Sequence, residues 1–145
     1  MINFRTATHD DVSKISKLER ESFSHPFRKQ DVLYELEEND FSIIMVATDD
    51  EKVVAYIDFW ITFDSATICR IAVNPLYRKR GIGLELLKLM EKRAKAEKCS
   101  NITLEVREGN IEAIGLYQKF GFIVITKKIQ FYDDGENAIY MVKGV

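Results

Sequence analysis

The apolar positions change period several times along the chain, and each change marks an element. A short strand is expected at Asn3–Ala7. Thr8 with Asp11 three residues on is a capping arrangement, and it starts a helix carrying Val12, Ile15, Leu18 and Phe23. His25-Pro26 breaks that helix, and a second short one with Val32, Leu33 and Leu36 runs to about Asn39. Then come Phe41–Thr48, Val53–Phe63 and Ala66–Val73, three β-rich stretches. The breaks at Asp49-Asp50 and Asp64-Ser65 suit tight turns and predict an antiparallel meander.

After Gly81-Ile82-Gly83 the period lengthens again. Leu86, Leu87, Met90 and Ala94 share one helical face, with charges opposite. Lys92, Arg93, Lys95 and Lys98 read as that helix's solvated side. Asn101–Val106 alternates as a strand. Asn110 is a good N-cap for a helix bearing Ile114, Tyr117 and Phe120, and Gly121 is a good stop. Phe122–Ile129 and Ala138–Lys143 close the chain as strands around Asp133-Asp134-Gly135. The order β-α-α-β-β-β-α-β-α-β-β predicts an α/β (α+β) fold. Its mixed, mostly antiparallel sheet has about six to seven strands and is flanked by about four helices.

The length of 145 residues fits one domain over 1–145, and 46% hydrophobic residues suffice for a core. The net charge of -2 argues against a nucleic-acid partner, since only Arg78, Lys79 and Arg80 form a dense basic spot. No apolar run reaches the roughly 20 residues of a membrane helix. The N-terminus has no signal-peptide layout, so a cytoplasmic protein without membrane partners is expected. Cys69 and Cys99 lack metal-ligand spacing and read as free buried thiols; no metal is expected.

Candidate chemistry concentrates in Tyr77-Arg78-Lys79-Arg80-Gly81-Ile82-Gly83, between a strand and a long helix. Glycines let successive N–H groups converge, and the helix start adds unpaired N–H groups and a positive dipole end. Such a turn suits phosphate or pyrophosphate. A side chain at Gly81 or Gly83 is expected to obstruct that approach. The string is neither a Walker loop nor a dinucleotide fingerprint, since Leu86 stands where the latter needs a third small residue.

Four ordered passages carry a resemblance. Arg78-x-x-Gly81-x-Gly83, preceded by Arg70-Ile71-Ala72-Val73-Asn74-Pro75, looks like the acetyl-CoA signature of the GNAT N-acetyltransferase superfamily. Leu104-Glu105-Val106-Arg107, then Asn110, Ala113, Leu116-Tyr117 and Gly121-Phe122, resemble its second block. Glu21-Ser22-Phe23-x-x-Pro26-Phe27 and Tyr132-x-x-Gly135-Glu136-Asn137-Ala138 are closest to its ribosomal-protein-alanine (RimI-type) acetyltransferases and their archaeal and eukaryotic N-terminal acetyltransferase relatives.

The resemblance implies that acetyl-CoA acts as co-substrate. The main chain of Ile71, Ala72 and Val73 would pair with the pantetheine arm, and an N–H near Val73 would hold the thioester oxygen. The pyrophosphate contacts would fall to Arg78, Lys79, Arg80, Gly81, Ile82, Gly83 and Leu84, with Asn110 touching the cofactor. Glu105 would be the base and Tyr117, also beside the cofactor, the acid. Phe23, Pro26 and Phe27 would flank a peptide entrance on one side and Tyr132 on the other. The acceptor implied is a protein or peptide N-terminus. His25, Asn137 (where many relatives carry Asp) and the oligomeric state carry no assigned role. Three alternatives remain at this point: acetylation of a small amine or lysine, a CoA-binding regulatory module without turnover, and a phosphate-binding interaction domain unrelated to CoA.

Overall fold

A computed structural model describes residues 1–145. Seven strands form one sheet: β1 (Ile2–Thr6), β2 (Ser42–Asp49), β3 (Lys52–Thr62), β4 (Ser65–Val73), β5 (Asn101–Arg107), β6 (Ile123–Lys128) and β7 (Ala138–Gly144). The helices are α1 (Val12–Ser22), α2 (Lys29–Glu37), α3 (Ile82–Ala96) and α4 (Ile111–Phe120). No helix is long and apolar enough to cross a membrane. The sheet order is β1-β2-β3-β4-β5-β7-β6, antiparallel throughout except where β4 meets β5.

The element order matches the hydrophobic pattern, with ends moved by a residue or two. Two local differences have physical causes. The Thr8–Asp11 capping box closes a 3-10 turn, His9–Asp11, ahead of α1. Phe23 is not on the helix: it is extended just past the end of α1, where Arg70 covers its ring at 4.4 Å. The meander turns use left-handed residues at Asp50 and Phe63. Cys99 is buried as expected, whereas Cys69 is partly exposed.

The two faces of the sheet bury different helices. Under α3 and α4 lie Ile57, Phe59, Ile68, Ile102 and Leu104, packed with Leu86 and Met90. Each fully buried side chain of this kind contributes about 1.5–3 kcal/mol. The other face buries Ile44, Val46, Tyr56 and Ala72 under Ile15 and Leu18 of α1 and Val32 of α2. α3 lies close to its neighbours because Gly83 has no side chain. A Cβ there would stand 3.2 Å from Leu116 Cδ2 and 3.5 Å from Val73 Cγ2.

Besides a bulge at Val54 of β3, where Ala47 faces Ala55 and Thr48 faces Val53, two bulges shape the sheet. In β4, Asp58 faces Arg70 while Phe59 faces Ile68, so Cys69 is the extra residue. In β6, Val124 faces Met141 and Thr126 faces Tyr140, leaving Ile125 extra on an edge strand. Beside the Cys69 bulge, α2 docks through polar groups. Asp58 accepts from the Ser42 hydroxyl at 2.6 Å, and Glu35 accepts from Trp60 Nε1 at 2.6 Å and Asn39 Nδ2 at 3.0 Å. Glu35, Asp58 and Cys69 bring their ligand atoms within 4.8 Å of one another. Burial, then the adjoining Glu35 carboxylate, pushes Asp58 up to about 8. Burial also acts to raise Glu35, but hydrogen bonds from Asp58, Asn39 and Trp60 outweigh it and hold that carboxyl low. Near neutrality, the pair therefore holds one proton, on Asp58.

Two outcomes follow from this packing. Asp58 titrates higher folded than its ordinary 3.8, so its contribution to stability is complete below that pH and is lost as pH rises through about 8. Glu35 acts oppositely, losing its contribution only toward acid. Asp58→Asn, which stays neutral, should gain stability relative to the unsubstituted protein between about pH 5 and pH 9, as read by urea denaturation across that range. Gly83→Val should destabilise the fold by about 1–3 kcal/mol through overpacking against α4 and β4, seen as a lower melting temperature.

Candidate active site

The site forms where the sheet opens. β4 and β5 run parallel and paired only from Ser65–Ile68 against Asn101–Leu104, and then they part. Past that point β4 remains paired with β3, Ala72 facing Tyr56 and Val73 facing Ala55. The Asn74 N–H donates to the Val54 carbonyl at 2.8 Å, which fixes the phase of the ladder. Ala72 exchanges hydrogen bonds with Tyr56, while Ile71 and Val73 turn their main-chain groups toward the gap. The expected run of three main-chain partners is thereby reduced to two. The Val73 carbonyl is already occupied, accepting from Arg78 Nε at 3.1 Å.

Next along the chain, the loop is tied down before it turns. Asn74 Oδ1 accepts from the Leu76 N–H at 2.9 Å, and the Tyr77 hydroxyl donates to Asp49 Oδ2 at 2.7 Å. The Arg80 guanidinium lies 4.8 Å from the Tyr77 ring centroid. Lys79 (φ 63°) and Gly81 (φ 80°) are left-handed, and α3 starts at Ile82. Glu85 is the first residue of the helix to bond back, to the Gly81 carbonyl at 3.0 Å. The N–H groups of Ile82, Gly83 and Leu84 therefore have no intrahelical partner, and they lie at the positive end of the dipole. The two glycines serve different ends. Around Gly81 there is open space and the demand is its left-handed backbone, whereas a Cβ at Gly83 would crowd Leu116 Cδ2 at 3.2 Å and meet Val73 in ordinary contact. Position 83 is thus also constrained by packing behind the turn.

Across the gap stand the candidate acid and base. Ile102, Leu104 and Val106 of β5 are buried, so Glu105 projects from the other face, its carboxylate 3.7 Å from Lys128 Nζ. The Tyr117 ring is buried on α4 with its centroid 5.7 Å from that of Phe122. Burial pushes the Tyr117 hydroxyl up, Tyr132 adds to this, and Arg70 opposes it. Tyr132 is likewise raised by burial; Arg107, 4.1 Å over its ring, and Arg70 lower it, while Glu105 and Glu136 raise it. Electrostatically, Tyr132 is thus linked to Glu105 and Arg70, and Tyr117 to Tyr132 and Arg70. Asn110 caps α4, accepting from the Ala113 N–H at 3.2 Å.

The α1–α2 and β6–β7 loops, expected to flank a peptide entrance, approach each other; of the residues expected there, Tyr132 lines the cavity between them, and Phe23, Pro26 and Phe27 do not. A cavity of about 540 Å³ is lined by His25, Arg107, Phe131, Tyr132, Asp133 and Asp134. His25 Nε2 lies 3.4 Å from Asp134 Oδ2, so the two loops touch across its mouth. Asn137 holds its own loop, accepting from the Gln130 N–H at 2.8 Å and donating to Glu108 at 3.1 Å.

Two residues beside the site had no role in the motif reading: Glu19, which no motif contains, and Arg70, which opens one. Glu19 is fully buried and accepts from the Phe27 N–H at 2.7 Å, the Tyr56 hydroxyl at 2.5 Å and both Nε and Nη2 of Arg70. Burial acts against the Arg70 charge, but the Glu19 carboxylate more than offsets it, and the guanidinium pKa lies above its ordinary value. Glu19 did carry a signal: it stands four residues after Ile15 and seven after Val12, on the apolar stripe of α1.

Comparison with known proteins agrees with this geometry. The acetyltransferase (GNAT) family profile matches residues 12–122. A putative ribosomal protein bS18-alanine N-acetyltransferase of Bacillus subtilis (strain 168) is 33% identical over 133 residues, covering 91% of this chain and 88% of that protein. The solved ribosomal-protein-S18-alanine N-acetyltransferase from Escherichia coli superposes with a TM-score of 0.90 at 26% identity, covering 100% of this chain and 94% of that one. Ard1 from Thermoplasma volcanium gives a TM-score of 0.90 at 25% identity, over 99% and 97% of the two chains. Arabidopsis thaliana NAA60 in complex with acetyl-CoA, 18% identical, shares the fold at a TM-score of 0.89 over 100% of this chain and 99% of that one. With sequence match and fold in accord over most of its length, the chain belongs to the acetyltransferase (GNAT) family and is an acetyl-CoA-dependent N-acetyltransferase.

Proposed function

We propose that the protein acetylates the free α-amine at the N-terminus of a protein, a ribosomal protein being the class its relatives' names suggest, and that it does so in the cytoplasm. The observation that supports this reading is the parting of β4 and β5 beyond Ile68 and Leu104, followed by the glycine turn at the start of α3. On this reading the turn takes the anion, Glu105 and Tyr117 serve the reacting groups, and the α1–α2 and β6–β7 loops flank the acceptor.

Acetyl-CoA supplies an activated acetyl group as a thioester. The N–H groups of Ile82, Gly83 and Leu84, with Lys79 and Arg80, would hold its pyrophosphate. The Ile71 main chain and the Val73 N–H face the gap and would hold the arm and the thioester oxygen. Glu105 takes a proton from the acceptor ammonium, directly or through water, so that the nitrogen lone pair is free to form the C–N bond. As the C–S bond breaks, Tyr117 returns a proton to the departing sulfur. Burial keeps Tyr117 protonated at neutral pH, and the neighbouring Arg70 moderates that rise.

An α-amine suits this arrangement. A lysine ε-amine has a reference pKa about 2.5 units higher, so supplying its neutral form costs about 3.4 kcal/mol more. A single carboxylate serves the weaker base better.

Glu105→Gln should lower kcat by ~100-fold or more while acetyl-CoA affinity stays near that of the parent enzyme, and Tyr117→Phe should behave alike. Wild-type turnover in both variants at neutral pH would assign the proton transfers elsewhere. Acceptor class is decided by mass spectrometry on two peptide sets. Peptides with free N-termini should be acetylated at the α-amine, and N-terminally blocked peptides with internal lysines should stay largely unmodified. Efficient modification of internal lysine alone would overturn the N-terminal assignment and leave the acetyltransferase intact.

A further inference from the structure

Arg70 is held on several sides. Its Nε donates to Glu19 Oε2 at 3.2 Å, and its Nη2 donates to Glu19 Oε1 at 2.5 Å and to the His25 carbonyl at 3.4 Å. The rings of Phe23 and Phe27 both lie 4.4 Å from the guanidinium carbon. Two edges and the flat surface of the guanidinium are therefore occupied, and Nη1 retains two N–H donors without a protein partner. The side chain keeps 23% of its surface exposed, and the only sealed side-chain oxygen or nitrogen lacking a partner is Ser22 Oγ. Nη1 is thus not sealed from solvent. Arg70 stands beside the cavity: it bonds the carbonyl of His25, which lines that cavity with Tyr132, and packs on Phe23 and Phe27 of the same loop.

We propose that Arg70 is an acceptor-binding residue that donates from Nη1 to the carbonyl oxygen of the acceptor's first residue. This rests on the N-terminal reading above and deepens it. In a peptide N-terminus that carbonyl is attached to the same carbon as the reacting amine. A lysine ε-amine and a simple alkylamine have no carbonyl there. A guanidinium already fixed by Glu19 and by two aromatic rings loses little freedom on making such a bond, so the bond discriminates between amines by geometry. The same contact sets the distance between the amine and Glu105, since both are reached from one end of an extended chain.

The test is a substrate-by-variant cycle. A short peptide is compared with its analogue in which an (E)-alkene replaces the first peptide bond, so that only the analogue lacks the carbonyl. Both are assayed with the unsubstituted enzyme and with Glu19→Gln/Arg70→Met, a pair that leaves no buried charge without its partner. The unsubstituted enzyme should lose roughly 10- to 100-fold in kcat/KM on the analogue, the range of a hydrogen bond to a charged group. In the double variant, peptide and analogue should differ by less than about three-fold, with the KM for acetyl-CoA unchanged within about two-fold. An equal peptide-to-analogue ratio in both enzymes overturns the role of Arg70, as does a ratio near one in the unsubstituted enzyme. Should the double variant not fold, Arg70→Lys decides in its place: its single-headed donor should shrink the ratio, and an unchanged ratio overturns the proposal. Absence of any peptide acetylation by the unsubstituted enzyme would instead remove the N-terminal reading and this inference with it.

Discussion

Everything at the site depends on β4 being paired on one side only beyond Ile68. Parallel strands with helices on both faces ordinarily continue their ladder to the end, because an unpaired main-chain group away from water is costly. Here the ladder stops after four paired residues on each strand. The Ile71 main chain and the Val73 N–H are left facing the gap, where the proposed function has the pantetheine arm pair with them. Tyr117 comes from a helix on one face and Glu105 from the opposite face of β5, so the proposed acid and base could reach one reacting centre only through an opening in the sheet.

The Cys69 bulge belongs to the same construction. It adds a residue to β4 where the strand leaves β5, and a bulge bends its strand and raises local twist. Arg70 immediately follows it and is carried toward α1, onto the Glu19 carboxylate. A buried ion pair of this kind adds little net stability compared with a well-packed apolar pair, while loss of one partner costs about 3–5 kcal/mol. Its value here is positional. The pair holds the Phe27 N–H, the Tyr56 hydroxyl and two aromatic rings at once, and so sets the wall of the entrance.

The fold was legible because periodicity and caps are local. Asn110 and Gly121 bound α4 as expected, and alternation in Asn101–Val106 gave β5 its two faces. The candidate acid, base and anion turn came from contiguous strings. What the strings could not carry was contact across distance. Glu19 and Arg70 are 51 positions apart, and their meeting depends on a bulge that leaves no trace in hydropathy. Phe23 lay in helical register yet is held off the helix by the same arginine. Ala72 looked like a main-chain partner because a string of three residues does not reveal ladder phase.

The outer strand β6 exposes Ile123, Val124 and Ile125 along a free edge, a surface on which a second strand could nucleate. The extra residue at Ile125 spoils the repeat such a strand would need, and Lys127 and Lys128 close the far end with charge. Lys128 is also the residue that sits beside Glu105. One ammonium group therefore both guards the free edge and pairs with the carboxylate proposed here as the base, so a substitution of Lys128 made for the sake of the edge would also change the charge beside Glu105.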